Sequence, residues 1–134
     1  MARPAMSGLE RAGLRFQVAV AEEALALRPN DAELLRFLAH AYTLVGRLED
    51  GVRADRRLAE LLPRDPRVRY NLACSLALTG SREEALAALR EARALGFDDL
   101  DLLLGDEDLF SLRDEPAFAA LLEEMKRARG GAGG

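Results

Sequence analysis

His40, Cys74 and Asp108 stand at intervals of 34 residues. An imidazole, a thiol and a carboxylate are the side chains of nucleophilic catalysis and of metal ligation, so the spacing asks whether folding brings them together. The chain has one histidine and one cysteine in all, whereas a structural zinc ion normally takes four ligands. If each residue sits at the same point of a repeated helical unit, neighbours lie about 10 Å apart, a helix diameter. That is too far for a direct hydrogen bond, and Gly105 is expected to break the last helix before Asp108. The expectation is no catalytic site, no metal site and no cofactor.

Composition says which elements would position these groups. The 134 residues are 49% hydrophobic but only 5% aromatic, with no Trp, so Leu and Ala must fill the core. Both are strong helix formers and β-branched residues are scarce, which predicts an all-α fold in a single domain over residues 1–129. Net charge is −4. The arginines between Arg47 and Arg69 are interleaved with Glu49, Asp50, Asp55, Glu60 and Asp65, the pattern of a solvated helix surface and not of a phosphate-binding stripe. Nucleic acid is therefore not an expected partner. Between Arg93 and Arg113 lie Asp98, Asp99, Asp101, Asp106, Glu107 and Asp108, so that end should be locally acidic. A lone cysteine permits a reducing compartment. Neither a signal peptide nor a membrane-spanning run is apparent, which makes a cytoplasmic protein without membrane contact the expectation.

Shifted by 34, the sequence falls onto itself. Leu38 meets Leu72, Ala39 meets Ala73, Gly46 meets Gly80, Asp31 meets Asp65 and Pro29 meets Pro63. A chance pair of Leu/Ala-rich helices would match apolar positions, but not also its glycines, prolines and helix-starting aspartates. The punctuation predicts two helices per period. Asp31 caps a helix to about Val45, ended by Gly46, and a second runs from Leu48 to about Leu62. Asp65-Pro66 starts the next, with the proline where no amide hydrogen is needed. Gly80 closes it, Ser81 with Glu84 reads as a capping box, and Gly96 ends the following helix.

This pattern resembles the tetratricopeptide repeat. The matching residues are Leu35, Leu38-Ala39, Tyr42, Gly51, Asp55 and Pro63 in one period, and Arg69, Leu72-Ala73, Leu76, Ala85, Leu89 and Phe97 in the next. The resemblance covers about residues 14–99 and implies a solenoid of helical hairpins. Repeats would span 31–64 and 65–98, after a half repeat at 9–28 and before a degenerate repeat or cap at 99–129. Small residues such as Ala73, Ala85 and Ala92 would let paired helices approach closely. "DLFSLRDEPAFAALL" resembles the closing segment of bacterial members of the family, and the glycine-rich 130–134 reads as a disordered tail.

The resemblance implies a non-enzymatic module that binds a protein or peptide in a concave groove lined by the first helix of each repeat. Carried over by position, that groove comprises Arg36, His40, Thr43, Arg67, Tyr70, Asn71 and Cys74, and its arginines suit an acidic or C-terminal segment. Asp101 and Gly105 stand where chaperone-tail binders of the family carry basic residues, so that ligand is not expected. The half repeat offers an alternative, a self-associating scaffold. Its helix has two apolar stripes, Phe16, Val20 and Leu27 on one and Leu14, Val18 and Leu25 on the other. The second stripe is the one expected to be left for a homodimer.

Overall fold

The computed structural model describes residues 5–133, with side-chain surroundings for 5–130. Gly134 and the first four residues of the stretch read for a signal peptide lie outside them. All regular structure among the described residues is helical. In chain order it comprises α1 (Gly8–Leu27), α2 (Ala32–Leu44), α3 (Leu48–Leu61), α4 (Pro66–Leu78), α5 (Arg82–Ala94), α6 (Leu100–Gly105), a 3-10 helix η1 (Glu107–Leu112) and α7 (Pro116–Gly133). None of these helices is long and apolar enough to cross a membrane. The chain gathers into two compact units, Met1–Pro63 and Arg64–Gly134.

Local chemistry sets most of the boundaries. The Asp31 carboxylate accepts from the Leu34 amide at 3.1 Å, and Asp65 accepts from the Arg67 and Val68 amides at 2.9 and 3.2 Å. Each satisfies amides that the first helical turn leaves without partners. The stops recur as faithfully. Gly46 and Gly80 both have φ of 83°, a left-handed conformation that glycine adopts without a Cβ penalty. The Arg47 amide then donates to Tyr42 O at 2.8 Å, and the Ser81 amide to Leu76 O at 2.9 Å, one period later. This is the Schellman closure, and the Phe97 amide repeats it on Ala92 O after α5.

That closure explains why the capping box expected at Ser81 and Glu84 does not form. The box needs the Ser81 amide as donor to the glutamate, but that amide is committed to Leu76 O, and the Ser81 side chain makes no capping bond. A capping box occurs instead at the start of α1. Ser7 Oγ accepts from the Glu10 amide at 3.1 Å, and the Ser7 amide donates to Glu10 Oε1 at 3.3 Å. At the other end, α7 continues through Gly133, across most of the segment read as a disordered tail. Adding residues to a formed helix is far cheaper than starting one.

In the first unit α2 and α3 pack as a hairpin, and α1 packs on α2. Glu22 of α1 ties the three together: its Oε2 accepts from Tyr42 Oη at 2.7 Å and from Arg47 Nη2 at 2.9 Å. Arg47 in turn lies over the Tyr42 ring and bonds Asp50 of α3 at 2.8 Å. In the second unit α4 and α5 form the hairpin, η1 packs on α4, and α7 contacts α5 and α6. Ala73, Ala85 and Ala92 are fully buried, as close helix contact requires.

The two stripes of α1 exchange their expected roles. Val18 is buried within the chain and Leu14 and Leu25 are half-buried, so this stripe faces the core and is not left for a partner. Phe16, Val20 and Leu27 are exposed at 71%, 51% and 86%, together with Leu9 at 86%. Periodicity marks two equivalent stripes, and only the position of α2 decides between them.

Candidate functional site

The first helix of each hairpin carries a comparable stripe, and the two stripes have different surroundings. On α2, Glu33, Arg36, Phe37 and His40 follow the i, i+3, i+4, i+7 spacing of one helix face and all are exposed. Thr43 continues the stripe half-buried, its hydroxyl donating to Ala39 O at 3.3 Å. Sequence reasoning passes over Phe37 because an aromatic residue reads as core. Its place one residue after Arg36 and three before His40 was the available signal.

On α4 the equivalent residues are Arg67, Tyr70, Asn71 and Cys74. Arg67 and Asn71 are exposed, but Tyr70 and Cys74 are buried, which corrects their expected role as groove contacts. The C-terminal segment covers them. Phe97 stacks on Tyr70 with ring centroids 4.5 Å apart and planes 7° from parallel. Tyr70 Oη donates to Asp106 Oδ2 at 2.5 Å, and the Cys74 thiol donates to the same oxygen at 3.6 Å. Ser111 adds a bond to Ala77 O at 3.4 Å. The face that α2 leaves open is, on α4, occupied by the chain itself.

This covering brings Cys74 to Asp108, contrary to the separation expected from repeat geometry. Gly105 ends α6 after six residues, and η1 then folds back onto α4. The Cys74 thiol and the carboxylates of Asp106 and Asp108 come to lie within 4.8 Å of one another. His40 is on α2 in the other unit. Asp106 was not anticipated, although an Asp ahead of Glu107-Asp108 carries the signature of a helix start. Its Oδ1 accepts from the Asp108 amide at 3.0 Å and so caps η1.

The electrostatics of the cluster oppose thiol chemistry. Burial pushes the Cys74 pKa far above the usual thiol range, and the charges of Asp106 and Asp108 push it further. Reactive cysteines have depressed pKa values and positive neighbours. Tyr70 is pushed up in the same way, first by burial, then by Cys74 and its bond to Asp106. Asp106 already serves Tyr70, Cys74 and the η1 amide, so the arrangement is a hydrogen-bonded clasp between α4 and the C-terminal segment.

The acidic end is partly offset. Asp98, Asp99 and Asp101 are exposed, but Asp99 caps α6 through the Leu102 amide, and Asp101 pairs with Arg129 of α7 at 3.3 Å. A cleft of about 750 Å³ in the second unit is lined by Arg67, Arg93, Phe97, Asp98 and Arg129 among others, with charges of both signs. Comparison with models of known protein families finds no match, and no curated protein matches the chain.

Proposed function

We propose that the protein is a tetratricopeptide-type binding module, non-enzymatic, that holds an acidic or C-terminal peptide segment against the exposed face of α2, the first helix of its first hairpin. The observation that carries this reading is the recurrence of one hairpin. Helices α2 and α4 begin and end 34 residues apart, with the same aspartate cap, the same left-handed glycine and the same closing bond. Such a scaffold keeps its core fixed and varies the outward residues of the first helix to suit a ligand.

Those outward residues suit a carboxylate-bearing chain. On α2, Arg36 offers a planar pair of donors, Phe37 an apolar surface and His40 a further polar contact; on α4, Arg67 and Asn71 are exposed. Within its own unit, Asn71 can likewise donate to and accept from a peptide backbone. The pushed-up pKa of the buried Cys74 thiol argues against a nucleophilic role for that side chain.

The test is a backbone-resonance titration of the protein with acidic peptides ending in a free carboxylate, and with the same peptides amidated. Shifts should map to residues 33–43. Arg36→Ala should weaken the best binder about tenfold or more, as loss of a charge-assisted hydrogen bond implies. Shifts confined to other surfaces, or an affinity unchanged by Arg36→Ala, would overturn the assignment.

A further inference from the structure

The uncovered stripe of α1 has an internal symmetry that identifies what covers it. Leu9, Gly13, Phe16, Val20, Glu23 and Leu27 follow alternating steps of four and three residues along one face of the helix, and all are exposed. Those steps are the a and d spacing of a coiled-coil seam. A Cβ added at Gly13 would meet nothing within 4 Å, so the seam is open there too. Along its edge run Ala12, Ala19 and Ala26, one per heptad and all exposed, small enough to let a second helix come close.

We infer that the protein forms a two-fold dimer through antiparallel pairing of α1 with α1 of a second copy, centred on residue 18. The seam reads alike in both directions about that point. Position 9 faces 27, position 16 faces 20, and position 13 faces 23. Leucine therefore meets leucine, Phe16 meets Val20, and the space at Gly13 receives the longer Glu23 side chain. Pairing identical surfaces about an axis is how most homodimers form. This inference does not depend on the peptide-binding reading, because α1 contributes none of the residues assigned there.

Charge selects the antiparallel direction. The first half of α1 carries Arg11 and Arg15 with one acid, Glu10, and the second half carries Glu23 and the internally paired Glu22 with no base. Antiparallel pairing sets the basic half of each copy beside the acidic half of the other, and the opposed helix dipoles add to the attraction. A parallel pair would bring Glu23 against Glu23 at a seam position. Area is sufficient as well. At their exposures, Leu9, Phe16, Val20 and Leu27 offer roughly 500 Å² per copy, so with the alanines a pair reaches the ~1,000 Å² of a specific interface.

Sedimentation equilibrium of the full chain at about 50 μM, a concentration at which micromolar association is populated, should give twice the 14.6 kDa chain mass. Phe16→Glu should shift the dissociation constant upward by about a hundredfold or more, with an unchanged helical spectrum because the side chain is exposed. For direction, oxidation of Gly13→Cys chains mixed with Glu23→Cys chains should give a disulfide-linked dimer that neither variant yields alone. A wild-type monomer at that concentration would overturn the dimer, and so would a dimer indifferent to Phe16→Glu. Efficient self-linking of Gly13→Cys alone would overturn the antiparallel arrangement.

Discussion

The Tyr70 hydroxyl donates to Asp106 across 36 positions of sequence, joining the middle of α4 to the cap of η1. With the Phe97 stack on the same ring, this bond holds the C-terminal segment over the α4 face. Tyr70→Phe keeps the ring stack and removes the donor. A hydrogen bond to a charged acceptor is worth about 1.5–3 kcal/mol, and the stability loss should fall near that range. Amide exchange should rise in residues 97–112, and in the first unit only as far as global stability falls. Unchanged exchange in that segment would mean that other contacts hold it.

Gly51 and Ala85 occupy the same position one period apart, and the first is a site for stabilisation. A Cβ at Gly51 would meet Thr43 Oγ1 at 3.5 Å, Ala39 O at 3.6 Å and Tyr42 Cβ at 3.7 Å, all ordinary contacts. Gly51→Ala should therefore stabilise by about 0.5–1 kcal/mol, the usual advantage of alanine inside a helix. Ala73 is fully buried, and Ala73→Leu should cost about 1–3 kcal/mol through overpacking. Urea midpoints of the two variants check both signs.

The two helix starts of the second hairpin should respond differently to truncation. Asp65→Ala removes an acceptor for two amides and should cost about 1 kcal/mol. Ser81→Ala removes a side chain that makes no capping bond and should cost less than about 0.5 kcal/mol. Equal losses in thermal denaturation would contradict the commitment of the Ser81 amide to Leu76 O.

Helix boundaries were legible in the sequence because their causes are local. Asp31, Gly46, Asp65-Pro66, Gly80 and Gly96 act within a turn of where they stand, and each acts as read. What escaped depends on distant chain. Tyr70 and Cys74 have the same spacing as exposed Arg36 and His40 on α2, and only the return of the C-terminal segment covers them. The same holds for α1, where two apolar stripes have one periodicity and packing on α2 chooses Val18 over Val20. Of the expected groove residues, Arg36, His40, Arg67 and Asn71 are exposed as read, for long or polar side chains stay in water wherever the chain allows it.

Stability should fall at alkaline pH, and Cys74 should set where the fall begins. Its folded pKa lies well above the ordinary thiol value of 9.0, through burial and the facing charges of Asp106 and Asp108. Above pH 9 the unfolded chain therefore releases this proton while the folded chain keeps it. Fewer protons bound to the unfolded state means stability that declines as pH rises. The contribution is complete below pH 9 and is lost progressively above it. Tyrosines extend the decline. Tyr42 is raised from 10.0 to about 12 by burial and its bond to Glu22, so its contribution is lost between those values, and Tyr70 is raised further. Cys74→Ser keeps a hydroxyl donor near Asp106 but does not titrate in this range. Unfolding free energies from urea titrations at half-unit steps from pH 7 to 11 should decline from pH 9 in the wild type. In the serine variant the decline should begin about one unit later, when the tyrosines take over. A common onset in both proteins would show that the thiol is not held protonated by the clasp.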